Sequence, residues 1–265
     1  MTDKTIFGAL DPKLLERVSR RGAVAQSSKM AGALAIASMP VAFGLMARSA
    51  FAQGTALPAE ILDVLNFALT LEYLEDDFYQ AGLDAGVIDS ADRPIFETIS
   101  AHETAHVALL TAAISGGGGT PVTKPTFDFT AGGTFPDPFS DYPTFQALSQ
   151  GFEDTGVRAY KGQAGALISN NAILTTALQI HSVEARHASA VRRLRGQNGW
   201  ITGNSSGIPG AAGTAVQPIY NGEENTTQLT INTATYVTSA SASEAFDEPL
   251  LRADVEAIAG LFIVA

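Results

Sequence analysis

The sequence predicts an all-α protein: a four-helix bundle with one long crossover between its second and third helices, followed by an irregular C-terminal appendage. Three observations carry this prediction. Apolar residues recur at spacings of three and four through four segments, which is the period of an amphipathic helix. The segments are joined short, long, short, so that two antiparallel hairpins flank a crossover. A set of polar residues repeats at a constant interval of 81 residues, relating the two hairpins to each other.

The chain opens with residues of a different kind. Residues 1–52 hold seven Lys+Arg, three Asp+Glu and all four methionines of the 265-residue sequence. A basic stretch (17–29) precedes the apolar run MAGALAIASMPVAFGLMA (30–47), and Ala50-Phe51-Ala52 has the small-x-small pattern of a signal-peptidase site. Ser19-Arg20-Arg21 resembles a twin-arginine export signal, although Ala23 stands where a large apolar residue is usual. The expectation is a removable signal peptide over 1–52, of twin-arginine type, with the mature chain exported to the periplasm or the exterior. No stable membrane span is expected after its removal. The remainder carries nine Lys+Arg against 24 Asp+Glu. Such an acid excess argues against a nucleic-acid partner, which needs clustered basic residues. The sequence has no cysteine, which excludes disulfides, thiolate metal sites and cysteine nucleophiles.

Within the domain predicted over 53–196, the first helix is expected over 59–82, with Ile61, Leu65, Ala68, Glu72, Asp76 and Tyr79 on one face. The second (92–114) aligns Phe96, Ile99, Glu103, His106 and Leu110. After a Gly/Pro-rich crossover (115–141), the third (142–168) aligns Phe145, Leu148, Phe152, Gly156 and Tyr160, with Glu153 beside this stripe. The fourth (171–196) aligns Ile173, Ala177, Ile180, Glu184, His187, Val191 and Leu194. Residues 197–265, rich in Gly, Ser, Thr and Asn, read as a packed but irregular appendage with one short helix near 251–259.

The repeat pairs Glu72 with Glu153, Tyr79 with Tyr160, Glu103 with Glu184 and His106 with His187. Each Glu-x-x-His places a carboxylate and an imidazole side by side on a helix face. Packing these faces together buries four carboxylates and two imidazoles, which is prohibitive without compensation. Two divalent cations would neutralise the set, and one Glu from each of two helices plus Glu-x-x-His from the other two is the ligand pattern of di-iron and di-manganese bundles. The candidate metal ligands are therefore Glu72, Glu103, His106, Glu153, Glu184 and His187. Oxygen-rich ligation with one imidazole per ion suits iron, or else manganese. His102 and His181 have no counterparts at the 81-residue interval and read as supporting or surface histidines. Tyr79 and Tyr160 are candidates for hydrogen-bond donors behind the ligands or for redox-active phenols, against the commoner role of core tyrosines. Glu75, Asp76 and Asp77 read as a solvated acidic face. Gly156 either leaves room for an oxidant or permits a close helix contact.

The segments LTLEYLEDDFYQAGL (69–83), AHETAHVALL (101–110), GFEDTGVRAY (151–160) and IHSVEARHASAVR (180–192), with AFDEPL (245–250), resemble the ferritin-like proteins, specifically an exported bacterial group related to desiccation-related and stress-response proteins. The resemblance implies a dinuclear site bridged by Glu103 and Glu184, with Glu72 and Glu153 terminal and one histidine on each metal. It also implies O₂ or peroxide as the small-molecule substrate, in a ferroxidase, a manganese catalase or a peroxidase, with an electron donor on a separate protein because no cysteine-bound iron domain is present. A homo-oligomer is compatible with it. The alternative is a non-catalytic stress-protective or structural protein whose metal is a staple or is lost.

Overall fold

The computed structural model describes residues 56–264; the predicted leader lies outside the described residues. Four long helices form the bundle. Helix α1 spans Ala59–Ala85, α2 Arg93–Gly116, α3 Tyr142–Gln163 and α4 Asn171–Leu194. The third predicted helix ends as a separate 3₁₀ turn, Ala164–Leu167. Local chemistry sets the ends. Gly86 closes α1 in the left-handed region (φ 70°), which a glycine adopts without steric cost. Asp141 caps α3 by accepting from the Thr144 amide at 2.9 Å, and Asn170 caps α4 by accepting from the Ile173 amide at 3.1 Å.

Helix α1 packs chiefly on α2 and α3 on α4, and α1 meets α3 across the bundle. An aromatic cluster fills one end of the interior. Phe78 stacks on Phe145 at 4.7 Å between ring centroids, and Phe96 meets Phe145 edge-on at 5.1 Å. Toward the other end the walls are aliphatic, with Leu65, Leu110, Ile173 and Ile180 buried.

The crossover is pinned by the end of the chain. Strand β1 (Thr126–Phe127) pairs antiparallel with β4 (Ile263–Val264), and the Asp128 amide donates to the Phe262 carbonyl at 2.8 Å. The C-terminal segment holds more regular structure than its composition suggests. It contains α5 (Gly210–Val216), the two-stranded ribbon β2–β3 (Thr227–Gln228 with Ile231–Asn232), α6 (Ser239–Ser243) and α7 (Arg252–Ala259).

This segment packs around α3, whose residues from Ala147 to Tyr160 are all buried. Two charged residues of α3 hold it there. Asp154 accepts from Arg192 at 3.0 and 2.5 Å and from the Tyr220 hydroxyl at 2.8 Å. Arg158 pairs with Glu223 at 2.8 Å and donates to the carbonyls of Ile219, Glu248 and Asn221. Among the described residues no helix is long and apolar enough to cross a membrane.

Candidate metal centre

Each hairpin of the bundle presents one lone glutamate and one Glu-x-x-His pair. Glu72 comes from α1, Glu103 and His106 from α2, Glu153 from α3, and Glu184 and His187 from α4. The structure brings all six together in the bundle interior, each at most 4 % exposed. They divide into two groups of four potential ligands. One is Glu72, Glu103, His106 and Glu184; the other is Glu103, Glu153, Glu184 and His187. Within each group one ligand atom per residue lies within 4.8 Å of the others. Glu103 and Glu184 belong to both groups, so the arrangement follows the 81-residue repeat.

The His106 Nδ1 lies 3.1 Å from Glu72, 3.0 Å from Glu103 and 3.2 Å from Glu184 Oε1. The His187 Nδ1 lies 2.9 Å from Glu103, 3.2 Å from Glu153 and 3.8 Å from Glu184 Oε2. A cation with ligand bonds of about 2.1 Å sets donors at right angles about 3 Å apart, so most of these separations suit atoms sharing an ion. The hydrogen-bond accounting agrees. Glu103 Oε1, Glu153 Oε2, both oxygens of Glu184 and His187 Nδ1 are buried without an aligned hydrogen bond. Native interiors seldom leave such atoms unsatisfied, and their convergence fits a bound cation. The set could hold metal ions.

Supporting contacts are equally paired. Tyr79 on α1 crosses to α3 and donates to Glu153 Oε1 at 2.5 Å, while Tyr160 on α3 crosses to α1 and donates to Glu72 Oε1. Each phenol thus fixes the oxygen its glutamate does not turn toward the histidine. His102 stands 2.8 Å from the far ring nitrogen of His187, with the two rings stacked at 5.1 Å, which orients Nδ1 of His187 into the cluster. His181 is elsewhere: its ring donates to the Val157 carbonyl at 3.0 Å, and it belongs to neither group.

Burial and mutual repulsion set the protonation of the metal-free cluster. Burial pushes Glu72 up to about 8 against the pull of His106, and it drives Glu153 well above the ordinary carboxylate range. Burial alone would lower His187, but Glu153 and Glu103 more than offset it and hold the ring protonated. Without cations the site therefore stores protons.

The solvated acidic face expected at 75–77 is corrected here. Glu75 and Asp76 are buried, and Asp77 alone is half-exposed, paired with Lys124 at 2.6 Å. Asp76 accepts from Gln80 and from the Thr104 hydroxyl, both at 2.6 Å. The reason is geometric: positions 72, 75, 76 and 79 share one helix face, so the face carrying Glu72 inward carries these residues inward too. Gly156 proves to border the cluster, since a Cβ there would lie 3.3 Å from Glu184 Oε2.

A family model described as the ferritin-like domain matches residues 60–197, just over half of the chain. No curated protein matches the chain.

Proposed function

The chain belongs to the ferritin-like domain family, and from that premise we propose that it is an exported metalloprotein holding two iron ions, or manganese in their place, that reacts with Fe(II) and O₂ or with peroxide in iron handling or in defence against oxidative and desiccation stress. One observation carries the reading: five buried ligand atoms of Glu103, Glu153, Glu184 and His187 converge without aligned hydrogen bonds. Four carboxylates against two imidazoles favour iron or manganese over copper.

When bound, the ions would supply electron exchange with the oxidant. The protein does the rest. Glu103 and Glu184, common to both groups, would be shared between two metal positions, while Glu72 and Glu153 would each serve one. Tyr79 and Tyr160 hold the terminal glutamates in place, and His102 holds His187. Buried apolar side chains from all four helices, Phe and Leu on α1 to α3 and Ile and Val on α4, limit water around the cluster, which strengthens each electrostatic contact. Glu72 and Glu153, which hold protons in the metal-free cluster, would release them when a cation binds. Absence of Cys and Met beyond residue 52 suits exposure to oxidants, because both sulfurs oxidise readily.

Export rests on the basic stretch, the apolar run and Ala50-Phe51-Ala52. Processing after Ala52 that is abolished by replacing Arg20 and Arg21 with Lys would support the twin-arginine route; an unprocessed chain would refute the leader. The functional test is anaerobic loading with Fe(II) followed by O₂ or H₂O₂, with oxidant consumption and metal oxidation followed by absorbance. Turnover with either oxidant is expected. Stoichiometric metal that turns over neither would reduce the site to a structural staple and overturn the redox reading.

A further inference from the structure

The sequence has a single tryptophan, Trp200, and it is 45 % exposed. It stands just beyond α4, on a stretch that turns back against that helix. Gly199 permits the close approach, since a Cβ there would lie 2.5 Å from the Ser189 hydroxyl oxygen on α4. Ile201, on the other side, is buried. The indole is thereby held between two anchored neighbours.

Trp200 lines a cavity of about 120 Å³ set between α3, α4 and the C-terminal segment. Val157 of α3, Ala185 and Ala188 of α4 and Ile201 give it apolar walls. Its three charged groups differ in what they have left to offer. Asp154 and Arg192 are buried and satisfied: Nε and Nη2 of Arg192 donate to the two oxygens of Asp154, its Nη1 donates to Gln197, and Tyr220 donates to Asp154 as well. Asp247 is half-buried, and its main-chain carbonyl accepts from Lys161. Its carboxylate, by contrast, accepts no hydrogen bond and forms no ion pair among the described residues. A ligand entering the cavity therefore meets one unengaged carboxylate, one large aromatic ring and apolar walls.

Each of these parts selects. The carboxylate calls for a cation or a hydrogen-bond donor, and the indole is the aromatic side chain that attracts a cation most strongly. The walls reward carbon. A polyol would leave hydroxyls against Val157 and Ile201 without partners, which is costly. An anion would meet Asp247 while Arg192 is already taken. The 24 Asp+Glu against nine Lys+Arg beyond residue 52 draw cations toward the surface. The volume is somewhat below the roughly 150 Å³ that admits a benzene ring elsewhere, so about five to eight non-hydrogen atoms fit.

We propose that this pocket binds a small organic cation, an ammonium group on a short apolar body, with the charge between Asp247 and Trp200 and the body against the walls. The metal-site reading plays no part in it. Because the lining comes from α3, α4, residues 199–201 and Asp247, an occupant ties the C-terminal segment to the bundle and stabilises the folded chain.

The test titrates the purified full-length protein with n-butylammonium and benzylammonium chlorides at constant ionic strength, reading the emission of Trp200, the sole tryptophan. A saturable change with a dissociation constant of about 0.1–10 mM is expected for ligands of this size, and the melting temperature should rise with the same saturation. In wild type, 1-butanol and butyrate, which share the body and lack the positive charge, should bind at least about tenfold more weakly. Asp247→Asn should weaken both ammonium ions by about tenfold or more, and so should Ala185→Leu, which fills the cavity. No saturation by either ammonium ion below about 50 mM, an equal response to 1-butanol, or an affinity in Asp247→Asn within about twofold of wild type would each overturn the proposal. Saturation by glucose in their place would overturn it in favour of a polyol site.

Discussion

Replacing Tyr160 with Phe removes one oxygen atom and leaves the ring in place, so the perturbation is confined to the hydrogen bond donated to Glu72. Both residues are buried and no solvent can substitute for the lost hydroxyl. A hydrogen bond to an ionised acceptor contributes about 1.5–3 kcal/mol, and one between neutral partners about 1 kcal/mol. In the metal-free protein Glu72, pushed up to about 8, is mostly protonated at pH 7, so the smaller figure applies. With a cation bound Glu72 is ionised and the larger figure applies. Metal affinity at the Glu72 position should therefore fall by the difference, about 0.5–2 kcal/mol or roughly 2- to 30-fold. The melting temperature of the metal-free protein should fall by only about 2–4 °C, as expected for a described region of this size. Tyr79→Phe should do the same to the Glu153 position, because the Tyr79 hydroxyl meets Glu153 at 2.5 Å. Competition of Mn(II) with a chelator, fitted to two sites, measures both. Affinities that stay within about twofold of wild type, or a single variant that weakens both ions equally, would refute the assignment of one phenol to each metal position.

Three further outcomes follow from the same structure. Asp154→Asn leaves the buried Arg192 guanidinium without its charge partner and should cost about 3–5 kcal/mol, whereas replacing both residues with Leu should recover much of that loss; calorimetry of the double-mutant cycle decides, and a loss under about 1 kcal/mol in Asp154→Asn would show that the ion pair does not hold α3 to α4. Gly162→Ala puts a Cβ 2.0 Å from the Leu250 carbonyl oxygen and should destabilise by about 1–3 kcal/mol by prising the 245–250 segment from α3; an unchanged melting temperature would contradict that close approach. The folded pKa of Glu72 is raised above its ordinary 4.5, so its contribution to metal-free stability is complete below about 4.5 and is lost as pH rises through about 8. Over the same range the proton that a cation must displace becomes easier to remove, so apparent metal affinity should climb with pH up to about 8, with protons released into a weak buffer on loading. An affinity flat from pH 6 to 8 would contradict it.

The fold was legible where the chain repeats itself. Spacings of three and four located all four bundle helices to within a few residues, because each buries a continuous stripe against its neighbours. The coincidence of Glu72, Glu103 and His106 with Glu153, Glu184 and His187 at one interval singled out the residues that the structure gathers, since a repeated polar set on apolar faces is hard to explain otherwise.

What the sequence hid lies in residues whose partners are distant. Asp154 and Arg158 are buried only because Tyr220, Glu223 and the 245–250 segment fold back over α3, and those partners lie about 65 to 90 residues away in a stretch without helical period. Glu75 is hidden for another reason: three consecutive acids suggest a surface, yet the spacing of three from Glu72 puts Glu75 on the inward helix face, and helix phase outweighs local charge.

Metal content of the purified protein is the most direct test of the dinuclear reading. Elemental analysis after loading with Fe(II) or Mn(II) and removal of excess should find about two ions per chain, falling sharply in Glu103→Ala and His187→Ala, because Glu103 belongs to both groups and His187 to one. Fewer than about one ion per chain, indifferent to both substitutions, would contradict the account.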